Sequence, residues 1–340
     1  MPQLSSTSFA FLGGDRMKGK IGLEEHFSHP DTVGDSEEYF VAGKWDEMKK
    51  RLLDVGDIRL RHMDQYGMET MIISLNAPAI QAISDVPKAT EIARRANDLL
   101  AEHVSKRADR FRGFAALPLQ DPDAAALEAR RCVADLGFVG ALVNGFSQVG
   151  DKETVVYLDD GRYRGFWAEF ANLNRPFYLH PRDPIASWSR IYNDHPWLLG
   201  SAWAFGVETA THALRLMGSG LFDRHPDLQI IVGHHGEGLP FLIWRVDHRV
   251  ATAPRGIQIK KTFQEYFHRN FYITTSGSFR TQALINSISE IGSDRVLFST
   301  DYPFEEVSDA ATWFDAASIA ENDREKIGRL NAVRLFGLTA

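Results

Sequence analysis

Four short stretches concentrate the residues able to do chemistry: Glu24-Glu25-His26, His180, His234-His235-Gly236-Glu237 and Asp301. Carboxylates and imidazoles brought to one mouth are what a divalent metal needs. Such a mixed N/O set suits zinc, manganese or another borderline ion and suits copper(I) or an iron–sulfur cluster poorly. Along an extended strand Glu24 and His26 share one face while Glu25 points the other way, so the expected set is Glu24, His26, His180 and Asp301. Glu237 follows His234 by three residues, and a hydrogen bond between them would orient the imidazole and raise its basicity. The tandem His234-His235 leaves open which of the two faces a site. Arg245, further along the same segment, can pair with a substrate carboxylate or equally with a surface or subunit anion. Taken singly, each residue also has a structural explanation, such as a hydrogen-bonding histidine at a strand end or, for Asp301, a helix cap.

These residues can meet only if distant elements place them together. From Lys20 onward, short aliphatic runs alternate with amphipathic stretches, the pattern of a parallel sheet with helical crossovers. The candidate strands are Ile21 to Glu25, Thr70 to Leu75, Phe111 to Ala116, Gly140 to Val143, Pro176 to His180, Gln229 to His234, Phe271 to Thr275 and Arg295 to Thr300. The stretches DEMKKRLLDVGDIRLRHMDQYG and VPKATEIARRANDLLAEHVSKRADR read as crossover helices. Eight βα units in succession predict a closed (β/α)8 barrel. The alternative, an open doubly wound sheet with a dinucleotide site, lacks its glycine-rich loop, since the first βα turn is LEEHFSHP. In a barrel the strand ends converge on one mouth, which adds Ser74, Asn76, Asn144 and Ser276 to the polar set. Two insertions, residues 26–45 and 181–206, follow barrel strands; they are expected to form a pocket wall or, equally, a subunit contact.

Composition narrows the partners. The 340 residues carry 38 Lys+Arg against 45 Asp+Glu, a formal charge of −7, which disfavours a nucleic-acid protein reliant on a basic surface. The single cysteine, Cys132, excludes an intrachain disulfide and a multi-cysteine metal site. No apolar run approaches a signal h-region or a membrane span, so the expected location is the cytoplasm, with no membrane partner. Residues 1–16 are expected to be an extension outside the fold, and residues 17–340 one barrel domain.

The motifs GKIGLEEHF, ISLNAPAIQAI, FAALPLQDPDAAALEARRCV, LGFVGALVNGFSQ, RPFYLHPRDP, IIVGHHGEGLPFLIWRVDHR, YITTSGSFRTQ and VLFSTDYPFE run from about Lys18 to the C-terminus. Through them the sequence resembles the metal-dependent nonoxidative decarboxylases of the amidohydrolase superfamily, whose first motif is Glu-x-His instead of His-x-His. The resemblance implies a distorted (β/α)8 TIM barrel holding one divalent ion per subunit, manganese or zinc with magnesium admissible, and no organic cofactor. It implies Glu24, His26, His180 and Asp301 as ligands, His234 with Glu237 as a nearby dyad, and Asn144 and Arg245 near the substrate. A homotetramer is implied as well. The expected substrate is a small aromatic hydroxy acid, with His26 favouring 2,6-dihydroxybenzoate over 2,3-dihydroxybenzoate or salicylate. The implied chemistry is reversible: a protonated Asp301 delivers its proton to the ring carbon bearing the carboxylate, and CO2 leaves. Two other readings stay open, a lactone or amide hydrolase in which Asp301 is the base for a metal-bound water, and a noncatalytic barrel.

Overall fold

The computed structural model describes residues 17–40 and 43–338. The expected extension, residues 1–16, lies outside the described residues. Eight parallel strands form one sheet: β1 (Lys20–Phe27), β2 (Met68–Leu75), β3 (Phe111–Ala115), β4 (Gly140–Asn144), β7 (Phe177–His180), β8 (Ile230–Val232), β9 (Phe271–Thr274) and β10 (Val296–Leu297), paired in that order. A two-stranded antiparallel hairpin, β5 (Ser147–Gln148) with β6 (Val155–Val156), interrupts the crossover after β4. Each of the eight expected strands overlaps one of these.

The sheet closes on itself beyond its last regular strand. Past β10 the chain runs alongside β1: the Asp301 amide donates to the Glu24 carbonyl at 3.0 Å, and the His26 amide donates to the Tyr302 carbonyl. Ser299 Oγ accepts from the Glu24 amide in the same seam. The result is a distorted (β/α)8 barrel, its eighth strand regular for only two residues.

The barrel interior is layered by strand alternation. Ile21, Leu23, Ile72, Phe114, Leu142, Tyr178, Ile231, Tyr272 and Leu297 form one buried cluster, closed below by Ala332 and Phe336 of the C-terminal helix Asn331–Phe336. Two residues further along several strands the same inward face turns polar: Ser74 after Ile72, Asn144 after Leu142, His180 after Tyr178, Thr274 after Tyr272. A second, larger apolar cluster lies between the sheet and its helices.

Two of the crossover helices are capped by aspartates. Asp85 accepts from the Lys88 amide at the start of Val86–Lys106, and Asp121 accepts from the Asp123 and Ala124 amides at the start of Pro122–Ala134. The stretch from Asp46 to Gly67, which reads as one helix, is two, Trp45–Leu53 and Asp57–Tyr66. The Asp54 carboxylate takes the Gly56 and Ile58 amides, offering the backbone an alternative to the helical ladder there. Among the described residues no helix is long and apolar enough to cross a membrane.

Candidate metal centre and active-site cavity

β1 reaches the barrel mouth through an irregularity. Gly22 pairs with Met71 and Glu25 with Ile73, so three steps on β1 face two on β2. This bulge reverses the inward parity: Ile21 and Leu23 point into the apolar layer below, yet Glu24 and His26 point into the mouth above. Glu25 consequently faces away. Its carboxyl accepts from the Thr300 amide and hydroxyl, and burial pushes it up to about 7 despite those bonds. Arg59, buried beside it, donates to the His26 carbonyl and lies 4.7 Å above the Tyr302 ring, binding β1 to the closing strand.

In the mouth, Glu24, His26, His180 and Asp301 each offer a donor atom within 4.8 Å of the others. His180 Nε2 lies 3.1 Å from Glu24 Oε1, and His26 Nε2 lies 3.3 Å from Asp301 Oδ1. The fully buried Glu24 side chain is anchored through Oε2, which accepts hydrogen bonds from the hydroxyls of Tyr178, Thr274 and Ser276. Burial alone would raise its pKa, but His234 and His180, with a smaller contribution from His26, outweigh that and hold it well below the usual carboxylate range. His26 is oriented by Ser74, whose Oγ is 3.2 Å from Nδ1, leaving Nε2 toward the cluster. Burial lowers the His180 pKa, which keeps that imidazole in the neutral form that ligates metals.

The neighbouring turn decides between the two histidines. His234, His235 and Glu237 all take left-handed φ values, 50°, 55° and 54°, in a turn that starts and ends on Gly233 and Gly238. Such backbone in non-glycine residues costs of order 1–3 kcal/mol each and clusters at functional sites. It turns His234 to the mouth, with Nδ1 2.7 Å from Glu237 Oε1 and Nε2 3.6 Å from Glu24 Oε1 and 3.7 Å from Asp301 Oδ2. His235 turns away: its ring nitrogens meet the Ser278 carbonyl and Ser287 Oγ. Burial works against a charge on His234, but the Glu237 and Glu24 carboxylates outweigh it and raise its pKa well above the ordinary value. Asp301 shows the converse, held low by His234 and His26 against the effect of burial.

A cavity of about 180 Å³ opens onto this cluster, with His180, His234 and Asp301 at its base. Its walls come from both insertions: Ser36, Tyr39 and Phe40 from the first, Pro181, Ser201 and Phe205 from the second, completed by Ala77, Phe304 and Glu305. Phe40 and Phe304 stack at 6.2 Å, and Phe304 meets the edge of His26 at 5.6 Å. The tryptophans of the second insertion, Trp188, Trp197 and Trp203, stay exposed. The Glu305 carboxyl is pushed up to about 7 by burial and by Asp301.

Asn144 and Arg245 do not reach this wall. Asn144 is buried in register beside His180; its amide donates to the Asn76 carbonyl, and its Oδ1 has no hydrogen-bond partner. Arg245 stands exposed on the helix Leu239–Thr252, outward of the barrel, because the buried face of that helix is Leu239, Pro240 and Ile243. Tyr178 and Thr274, which hold Glu24, were absent from the sequence-derived set, although each lies two residues from a strand-end polar residue and so on the same face.

Comparison with known proteins agrees with this architecture. The amidohydrolase family model matches residues 29–338. The gamma-resorcylate decarboxylase of Rhizobium sp. (strain MTP-10005) is 62% identical over 324 residues, covering 95% of this chain and 99% of that protein. A crystal structure of a 2,6-dihydroxybenzoate decarboxylase complexed with 2,6-dihydroxybenzoate superposes with a TM-score of 0.93 at 62% identity, covering 95% of this chain and all of the other. A dihydroxybenzoic acid decarboxylase from Polaromonas sp. JS666, with bound manganese and the inhibitor 2-nitroresorcinol, matches with a TM-score of 0.93 at 58% identity, covering 95% and 98% of the two chains. The chain belongs to the amidohydrolase family and, within it, to the gamma-resorcylate decarboxylases.

Proposed function

We propose that the protein removes CO2 from 2,6-dihydroxybenzoate, leaving resorcinol, in a reversible nonoxidative reaction. The observation that carries this reading is the junction of a buried two-carboxylate, two-imidazole cluster with an aromatic-walled cavity sized for one ring. The names of the relatives at about 60% identity, and the 2,6-dihydroxybenzoate held by a solved neighbour, support the same substrate.

The residues fit a divalent ion. Glu24 Oε1 and His26 Nε2 are buried without a hydrogen-bond partner, a cost that a cation between them removes. Glu24, His26, His180 and Asp301 would hold it, and the manganese in the Polaromonas structure supports manganese as the ion. When bound, such an ion supplies Lewis acidity toward the substrate's carboxylate and one ortho hydroxyl.

The protein's own groups do the rest. Phe40 and Phe304 hold the ring and exclude water. In the free enzyme the proton shared by the dyad sits on His234, whose Nε2 lies 3.7 Å from Asp301 Oδ2. An arriving benzoate brings negative charge beside Asp301 and raises its proton affinity, so the proton passes from His234 to Asp301. Asp301 then protonates the ring carbon bearing the carboxylate, which the ortho oxygens make electron-rich. The bond to the carboxylate breaks, its electron pair restores the aromatic ring, and CO2 departs. The exposed Phe241, Leu242 and Trp244 on the Arg245 helix support self-association, consistent with a homotetramer.

The test is incubation of manganese-loaded protein with 2,6-dihydroxybenzoate, with 2,3-dihydroxybenzoate and salicylate run alongside. Resorcinol is the expected product. Turnover of another hydroxybenzoate alone would move the substrate assignment, and no turnover of any by fully metal-loaded protein would transfer the site to hydrolysis of a lactone or amide.

A further inference from the structure

A second cavity, of about 440 Å³, lies at the end of the barrel opposite the metal centre. Its wall is built from residues that precede strands instead of following them: Arg175 and Pro176 lead into β7, and Leu228 and Gln229 lead into β8. The C-terminal helix Asn331–Phe336 contributes Arg334 and Leu335. Three arginines, Arg175, Arg224 and Arg334, thus come to one cavity from three separate segments.

Little on the wall neutralises them. Arg175 donates to the Phe336 carbonyl and Arg224 to the Ser219 carbonyl, each at 3.1 Å, and among the described residues neither forms an ion pair. Asp223, beside Arg224 in sequence, spends its two carboxylate oxygens on the Lys260 amide and the Tyr266 hydroxyl. Arg334 reaches Asp294 only at 4.0 Å, and that carboxylate lies 3.1 Å from Lys326. Asp227 is the one acid on the wall among the described residues, and Arg269 stands 3.4 Å from it. A fourth guanidinium, that of Arg295, sits 4.6 Å from the centre of the Tyr272 ring and donates to Gln229 Oε1 at 2.7 Å. Tyr272 itself lines the cavity; it is only 7% exposed, and its hydroxyl has no hydrogen-bond partner among the described residues. On a chain of net charge −7 this is a local excess of positive charge around an unused donor.

We propose that this cavity binds a phosphate-bearing anion, at a site separate from the metal centre. Guanidinium N–H pairs match phosphate oxygens bidentately, and a dianion with three or four oxygens engages several guanidiniums at once, whereas a monocarboxylate offers two oxygens and one charge. The Tyr272 hydroxyl supplies a further donor. Because the wall joins the entries of β7 and β8 to the C-terminal helix, a bound phosphate ties that helix to the barrel floor without touching the residues of the mouth. The site does not depend on the reaction catalysed at the other end.

The test is calorimetric titration of the manganese-loaded full chain, dialysed free of excess metal, with inorganic phosphate at about pH 8, where phosphate carries close to two charges. Acetate at matched ionic strength is the monoanion control. The wild type is expected to give a saturable isotherm with phosphate and none with acetate. Arg224→Gln and Arg334→Gln, both at exposed positions, should each weaken phosphate binding about tenfold, the scale of one hydrogen bond to a charged group, and the double variant should abolish it. Tyr272→Phe, which removes only the hydroxyl, should weaken it about threefold. Arg107→Gln, which deletes an equal charge from an exposed ion pair outside the cavity, should leave it unchanged. A wild type without saturable phosphate binding, acetate binding as tightly as phosphate, or phosphate binding that survives in the double variant, as it would if the anion sat on the metal, overturns the proposal.

Discussion

His234 Nδ1 lies 2.7 Å from Glu237 Oε1 across a turn held in left-handed backbone, so a single strained segment both aims the imidazole at Asp301 and sets its charge. Glu237→Gln keeps the shape but removes the negative charge that raises the His234 pKa. The fraction of protonated His234 then falls at any given pH, and the alkaline limb of the kcat profile moves to lower pH. A loss of about 10–100-fold in kcat at neutral pH is expected, the usual scale for removing such an orienting partner. A pH–rate profile of the variant superposable on the wild type would remove the dyad from the mechanism.

Asp301→Asn should abolish turnover, by at least about 10²–10⁴-fold for loss of the proton donor, while leaving measurable affinity for 2,6-dihydroxybenzoate. Single-turnover assays and equilibrium binding on the same preparation separate the two effects. Full activity in this variant would refute the assignment.

Metal content distinguishes direct ligands from the groups that orient them. His26→Ala and His180→Ala should each lose the ion, read by elemental analysis after dialysis. Ser74→Ala, which removes only the 3.2 Å contact to His26 Nδ1, should weaken binding by about 10–100-fold without eliminating it. Stoichiometric metal in both alanine variants would place those histidines outside the coordination sphere.

Acid stability should depend on His212, in the helix Ala204–Gly218. Its Nε2 accepts the Leu158 amide at 3.0 Å, a role open only to the neutral ring, and burial, reinforced by Arg215, lowers its pKa to about 3. The unfolded imidazole titrates near 6.5, so between those values the unfolded chain binds a proton that the folded chain does not. The free energy of unfolding therefore falls as pH drops below about 6.5, by about 2 kcal/mol between pH 7 and 5 and by about 4–5 kcal/mol in total. Denaturant midpoints measured from pH 7 to 5 should show a shallower decline in His212→Gln, whose amide oxygen can still accept the Leu158 N–H.

The cysteine and the fold's strands were both legible from composition and pattern. Strands buried on both faces read as apolar runs, so all eight could be located, whereas the two-residue strands of the Ser147–Gln148 hairpin are too short to show any periodicity. The break near Asp54 was missed because its cause, a side chain competing for backbone amides, leaves the helical hydrophobic spacing intact on either side. Residues 26–45 and 181–206 were recognisable as insertions, but whether they met each other or a second subunit was a matter of three-dimensional path; both contribute to the cavity wall.

By itself, then, the sequence determined the βα succession, the acidic and cysteine-poor character, and the residue types gathered at strand ends, because local periodicity and residue chemistry are properties of short segments. Only the tertiary structure decided the geometry of the site. The bulge between Gly22 and Glu25 aims Glu24 into the mouth, and the left-handed turn selects His234 over His235. Closure of the last strand on β1 brings Asp301 to Glu24 across 277 positions of chain. The bulge and the closure depend on backbone pairing between segments far apart in sequence, and the same long-range packing leaves Arg245 exposed on an outer helix.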